Sequence, residues 1–115
     1  MKKGILITES VWLIPIEGRP EILHYKSKKR IMDQDLCLCF VPNHLVHKTP
    51  SPGATEARLA QLGKLGRHLV EKVLQIEGVN DVVIEKHFIT PRGYNQLLRR
   101  NVEAKMVEIF KELIP

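Results

Sequence analysis

Cysteine is scarce in this chain, and that scarcity sets the first limit on what the protein can be. Cys37 and Cys39 are the whole complement. Two residues apart in an extended strand, their Cβ atoms lie too far from one another for a bridge, so both are read as thiols. Long apolar runs are missing too. No stretch approaches the roughly 18 residues that a membrane span requires. The opening segment, Met1-Lys2-Lys3-Gly4-Ile5-Leu6-Ile7-Thr8-Glu9, puts an acid where the apolar stretch of a secretory signal would continue. These absences lead to an expected reducing, cytoplasmic compartment and to no membrane partner.

Catalytic patterns are equally thin. Ser10, Ser27 and Ser51 are the only serines, and none stands in a nucleophile elbow. No carboxylate pair, phosphate loop or dinucleotide fingerprint occurs. His68 and His87 stand beside Arg67 and Lys86, and a solvated or packed imidazole accounts for each as readily as a general base. The expectation is a protein that is not an enzyme and holds no cofactor.

What is present is globular. A chain of 115 residues, 43% hydrophobic and 27% charged, fits one domain with a core of its own. The net charge of +5 is unevenly placed. Residues 1–32 hold seven basic residues against three acids, whereas the remainder has eleven against ten. A cluster at Lys26, Lys28, Lys29 and Arg30 suits a polyanion such as nucleic acid; its plainer reading is a solvated turn or a strand edge protected from aggregation.

Periodicity gives the expected architecture. Ile5–Ile16 reads as a strand, Glu17-Gly18-Arg19-Pro20 as a turn, and Glu21–Tyr25 as the returning strand of a basic β-hairpin. Leu36–Val41 reads as a buried strand. After the Thr49–Gly53 loop, Leu59, Leu62, Leu69, Val70 and Val73 fall at helical spacing, with Gly63 and Gly66 interrupting and Gly78 ending the helix. Val82–Ile89 reads as one strand and Pro91-Arg92-Gly93 as a turn. Leu98, Val102, Met106, Ile109, Phe110 and Leu113 then form the apolar stripe of a closing helix. The fold expected is α+β, a mostly antiparallel sheet with two helices packed on one face.

Three patches in order carry a family resemblance. Leu36-Cys37-Leu38-Cys39-Phe40-Val41-Pro42, Leu74-Gln75-Ile76-Glu77-Gly78-Val79, and Val82-Val83-Ile84 through His87-Phe88-Ile89-Thr90 together resemble the N-terminal domain of Nfu/NifU-type iron–sulfur scaffold proteins, from about Gln34 onward. Departures accompany the matches: Asp33-Gln34-Asp35 stands where the family has an asparagine–proline–asparagine stretch, and Tyr94 and Leu97 stand near the place of its tryptophan. The family carries its cluster on a separate C-terminal domain through a C-x-x-C pair, which this chain lacks. The resemblance therefore implies a stand-alone relative of the accessory domain: residues 1–32 as a basic β-hairpin extension, residues 33–115 as the Nfu-like core, and a protein partner in iron–sulfur cluster assembly or delivery. Phe88, Tyr94 and Leu97, around the strand-to-helix turn, are the partner-binding candidates, with Ile89 beside them; their alternative role is to cap the core.

Two constellations remain. Cys37, Cys39, His44 and His47 have the chemistry of zinc or iron ligands, but C-x-C-x4-H-x2-H departs from the usual knuckle spacing and the strand around the thiols is apolar. No metal is therefore expected. Gly63-Lys64-Leu65-Gly66 has the G-x-x-G shape with which KH domains clamp a nucleic-acid backbone; close helix packing is the alternative. A nucleic-acid-binding module would use Lys26, Lys28, Lys29, Arg30, Lys64 and Arg67.

Overall fold

The computed structural model describes residues 4–19, 22–32, 37–40, 62–93 and 97–115. Among these residues the chain forms one six-stranded antiparallel sheet with helices packed on it. The strands are β1 (Ile5–Thr8), β2 (Val11–Ile14), β3 (His24–Ser27), β4 (Leu38–Phe40), β5 (Asp81–Ile84) and β6 (Phe88–Arg92). The helices are α1 (Gly63–Leu74), between β4 and β5, and α2 (Arg99–Leu113), after β6. The spatial order β1-β2-β3-β6-β5-β4 makes β1 and β4 the edges and places β3 beside β6 at the centre.

Two segments that read as single strands are hairpins. Ile5–Ile16 breaks at Glu9-Ser10 because the Thr8 hydroxyl gives the Ser10 N–H a local acceptor at 3.1 Å. The same hydroxyl donates to the Ile114 carbonyl at 2.8 Å, fastening the first hairpin to the end of α2. Val82–Ile89 breaks at the polar trio Glu85-Lys86-His87, and Glu85 N–H bonds the Phe88 carbonyl at 2.8 Å. Conversely, the expected Pro91-Arg92-Gly93 turn begins later: β6 continues through Pro91 and Arg92, and the chain turns at Gly93, where φ is +83°. The register Tyr25↔Ile89 puts Pro91 beyond the start of β3, where its missing N–H removes no ladder bond.

The described residues of 1–32, expected as a basic β-hairpin extension of the 33–115 core, contribute strands to the one sheet. Within 1–32, β1, β2 and β3 form a meander, and β3 pairs with β6. Val11, Leu23, Tyr25, Ile31 and Met32 all belong to the central core. Their burial is what attaches the segment: Tyr25 alone is 1% exposed and meets the Phe110 ring of α2 at 4.9 Å. The Leu36–Val41 segment also differs from expectation. Its described part is an edge strand, with Phe40 buried, Cys39 half-buried and Cys37 exposed.

The helices match their periodicity. Gly66, Leu69, Val70 and Val73 of α1, and Val102, Met106, Ile109 and Phe110 of α2, are buried, as the i, i+3, i+4, i+7 pattern requires. Gly78 adopts φ +93°, and a Cβ there would strike the Leu98 side chain that begins α2. Gly66 lies so close to Ile31 that a Cβ would overlap the Ile31 carbonyl oxygen, which is rigid backbone. Gly66→Ala is therefore expected to lower stability by about 1–3 kcal/mol, measured by urea unfolding. An unchanged midpoint would show that α1 can shift away from Ile31 at no cost.

Candidate nucleic-acid interface

The helices cover one face of the sheet; the side chains of the other face follow from the register. One row runs Leu6, Trp12, Lys26, Phe88 across β1, β2, β3 and β6. The next contains Ile14 and His24 on β2 and β3, and Thr90, Val83 and Cys39 on β6, β5 and β4. Beyond it, Arg92 pairs with Asp81 at 2.7 Å. Trp12, His24 and Phe88 are half-buried, Lys26 is exposed, and Leu6 is 60% exposed.

These side chains touch in a specific way. The His24 and Phe88 rings stack at a centroid distance of 4.7 Å and an interplanar angle of 14°. The Lys26 ammonium lies 6.0 Å from the Phe88 ring centre, and the Lys28 ammonium lies 5.9 Å from that of Trp12. Both distances fall within the range of cation–π attraction. Two rings in one cross-strand row, Trp12 and Phe88 with Lys26 between them, each with a lysine beside it, offer an apolar surface next to positive charge.

At one end of this face the backbone gathers more cations. Lys28 N–H bonds the Ser10 carbonyl at 2.7 Å, Ser27 N–H the His87 carbonyl at 2.7 Å, and Ile31 N–H the Lys86 carbonyl at 2.8 Å. The Lys28-Lys29-Arg30 strap is thereby tied between the β1–β2 turn and the β5–β6 turn. The Gly66–Ile31 approach sets α1 against the end of the strap, but Lys64, two residues before Gly66, lies about 200° around the helix from that contact. Lys28, Lys29, Arg30 and Lys64 are exposed and Lys86 is half-buried. Glu9 and Glu85 are the acids of the two turns, so positive charge predominates there.

The candidates read from the sequence are thus partly assembled. Lys28, Lys29 and Arg30 lie beside the turn that holds Lys86, Lys26 stands in the aromatic row, and Lys64 is on α1 away from Ile31. Arg67 does not add a net charge, because its Nε is ion-paired with Glu71 at 3.1 Å. The two glycines of the G-x-x-G segment belong to α1 itself: Gly63 opens it at φ +78°, and Gly66 faces Ile31. Phe88 is the first residue of β6, and Leu97 follows the strand's other end. Leu97 is 92% exposed; Tyr94 lies outside the described residues. Cys37 and Cys39 form no disulfide, and among the described residues no group of three or more ligating side chains could hold a metal ion. His44 and His47 lie outside those residues. His68 is exposed on α1, and His87 places its Nδ1 3.1 Å from the Ser27 carbonyl.

Sequence reasoning missed Trp12, His24 and Lys86 as site residues. Their signal is the alternation of Trp12 with Val11 and of His24 and Lys26 with Tyr25, which becomes readable only once the Glu9-Ser10 turn fixes the register. No protein-family model, no curated protein and no solved structure matches this chain. No helix among the described residues is long and apolar enough to cross a membrane.

His24 makes the face sensitive to acid. Burial holds its imidazole below the ordinary value of 6.5, with the charge of Glu85 opposing the shift; its Nδ1 meets the Thr90 hydroxyl at 2.8 Å. An unfolded chain therefore takes up a proton at His24 before the folded chain does. Stability should be full above the ordinary value and decline as pH falls through about 6.5 toward the folded value. Urea midpoints at pH 8 and pH 5.5 should differ more in the wild type than in His24→Gln; equal losses would place the sensitivity elsewhere.

Proposed function

We propose that this protein is a non-catalytic nucleic-acid-binding module whose backbone-contacting surface is the basic end of the sheet. The observation that carries the reading is the juxtaposition of the Lys28-Lys29-Arg30 strap with the turn that holds Lys86, two separate parts of the chain tied by backbone hydrogen bonds. Cations on one flexible strap would be a solvated loop. Cations from a strap and a hairpin turn, held together by backbone hydrogen bonds, form a surface of fixed shape that can follow a phosphate backbone. The mechanism is electrostatic: the lysines and arginine displace the cations condensed on the phosphates, and the released ions gain entropy.

Such binding weakens steeply with salt. For about four phosphate contacts on a single strand, the log–log dependence of affinity on salt has a slope of about −3. Fluorescence anisotropy with a labelled oligonucleotide between 50 and 200 mM salt, roughly the range over which such contacts are usually lost, measures it. Lys28→Glu combined with Lys29→Glu is expected to weaken binding at least about tenfold and flatten the slope. An affinity independent of salt, or unaffected by the charge reversals, would sink the proposal.

A second reading is a protein-docking role accessory to iron–sulfur cluster assembly or delivery. Its support is the resemblance of the three patches to the Nfu N-terminal domain, together with the 92% exposure of Leu97. Recovery of the tagged protein from cells with and without nuclease separates the two. Companions that disappear with nuclease fit the basic surface. Cluster-assembly proteins that persist after nuclease and are lost in Leu97→Asp fit the docking role.

A further inference from the structure

We infer that the open face of the sheet selects single-stranded nucleic acid, by taking unpaired bases against Trp12 and Phe88 while Lys26, between them, meets the connecting phosphate. This rests on the reading of the basic end as a backbone-binding surface and names the form of nucleic acid that surface receives.

The argument starts from the register. Trp12↔Lys26 and Lys26↔Phe88 place the three side chains side by side on β2, β3 and β6. Neighbouring strands lie about 4.8 Å apart, so the two aromatic positions are separated by about 10 Å with a cation at the midpoint. That alternation of ring, ammonium and ring matches the alternation of base, phosphate and base in an extended strand. A base held in a duplex presents only its edge to a protein; an unpaired base presents its π-face, which stacks on aromatic rings with little regard for sequence. A flat sheet cannot enter a groove as a helix can, so its natural ligand is one whose bases are already splayed.

Charge and continuity point the same way. Lys28 stands over Trp12 and belongs to the strap of the basic end, so the aromatic row and the backbone-binding surface share a residue. Phe88 follows directly on the turn that holds Lys86. The basic end and the aromatic row are thus contiguous through Lys28. The His24 ring, bonded to Thr90, covers one face of the Phe88 ring and fixes it in place, so a base stacks on the opposite face only.

The chain supplies its own probe, because Trp12 is its one tryptophan. Titration of the wild-type protein with a single-stranded oligouridylate should quench Trp12 emission in step with binding. A duplex of the same length should bind at least about tenfold more weakly and leave the emission largely unchanged. Phe88→Ala should weaken single-strand binding about five- to a hundredfold while leaving duplex binding unaltered, and Phe88→Tyr should retain it. Quenching needs no variant, so a Phe88→Ala chain that fails to fold would not spare the idea. Equal affinity for single strand and duplex, or single-strand binding without quenching, would overturn it. If Lys28→Glu with Lys29→Glu also leaves single-strand binding intact, the basic-end reading fails as well; if that variant alone loses binding, only the aromatic platform is wrong.

Discussion

The structure depends on the seam between β3 and β6. Everything before it is a meander, β1-β2-β3, and everything beyond it a second antiparallel unit, β6-β5-β4, with α1 and α2 laid across. Within the strands the pairing is short, Tyr25↔Ile89 and Lys26↔Phe88, and two further bonds, Ser27 to His87 and Ile31 to Lys86, extend it into the adjoining turns. Apolar burial supplies what the short ladder does not. Tyr25 and Ile89, opposite each other, are each 1% exposed and enter the same core as Phe110. The hydrogen bonds set register; the core holds the two halves together.

The same seam organises the candidate surface. A residue pair in a sheet has two sides, and the pairing that sends Tyr25 and Ile89 into the core sends Lys26 and Phe88 outward. The turn carbonyls that bond Ser27 and Ile31 also fix where Lys28, Lys29 and Arg30 lie relative to Lys86. Fold and surface are therefore consequences of one register. A slip of one residue would exchange the faces of β3, burying Lys26 and exposing Tyr25.

How much of this was legible in the sequence follows from the range of each interaction. The last helix could be read because Val102, Met106, Ile109 and Phe110 repeat at one period and face one layer. The α+β class followed from the same local patterns. The two hairpins could not be read in the same way. Ile5–Ile16 and Val82–Ile89 are apolar on both sides of their breaks. The local bonds that turn the chain there, Ser10 N–H to Thr8 and Glu85 N–H to Phe88, are held in place by partners distant in the chain, Ile114, Ser27 and Ile31. The basic cluster at residues 26–30 was visible as composition. Its companion Lys86 was not, because it arrives through the hairpin. For the same reason the pair of glycines suggested a clamp, whereas Gly66 is placed by the backbone it packs against.

The strap from Lys28 to Ile31 has a bearing on the thermodynamics of recognition. Its main chain is tethered at both ends, to Ser10 and to Lys86, so the backbone entropy of those residues is already lost when the chain folds. A ligand arriving there need only order lysine and arginine rotamers, and that penalty is about 0.5–1.5 kcal/mol for each side chain immobilised. Cations of equal number on a loose tail would face the backbone term too, at about 1–2 kcal/mol for each residue fixed. The turn-to-turn tether thus converts folding free energy into affinity for whatever polyanion the strap receives.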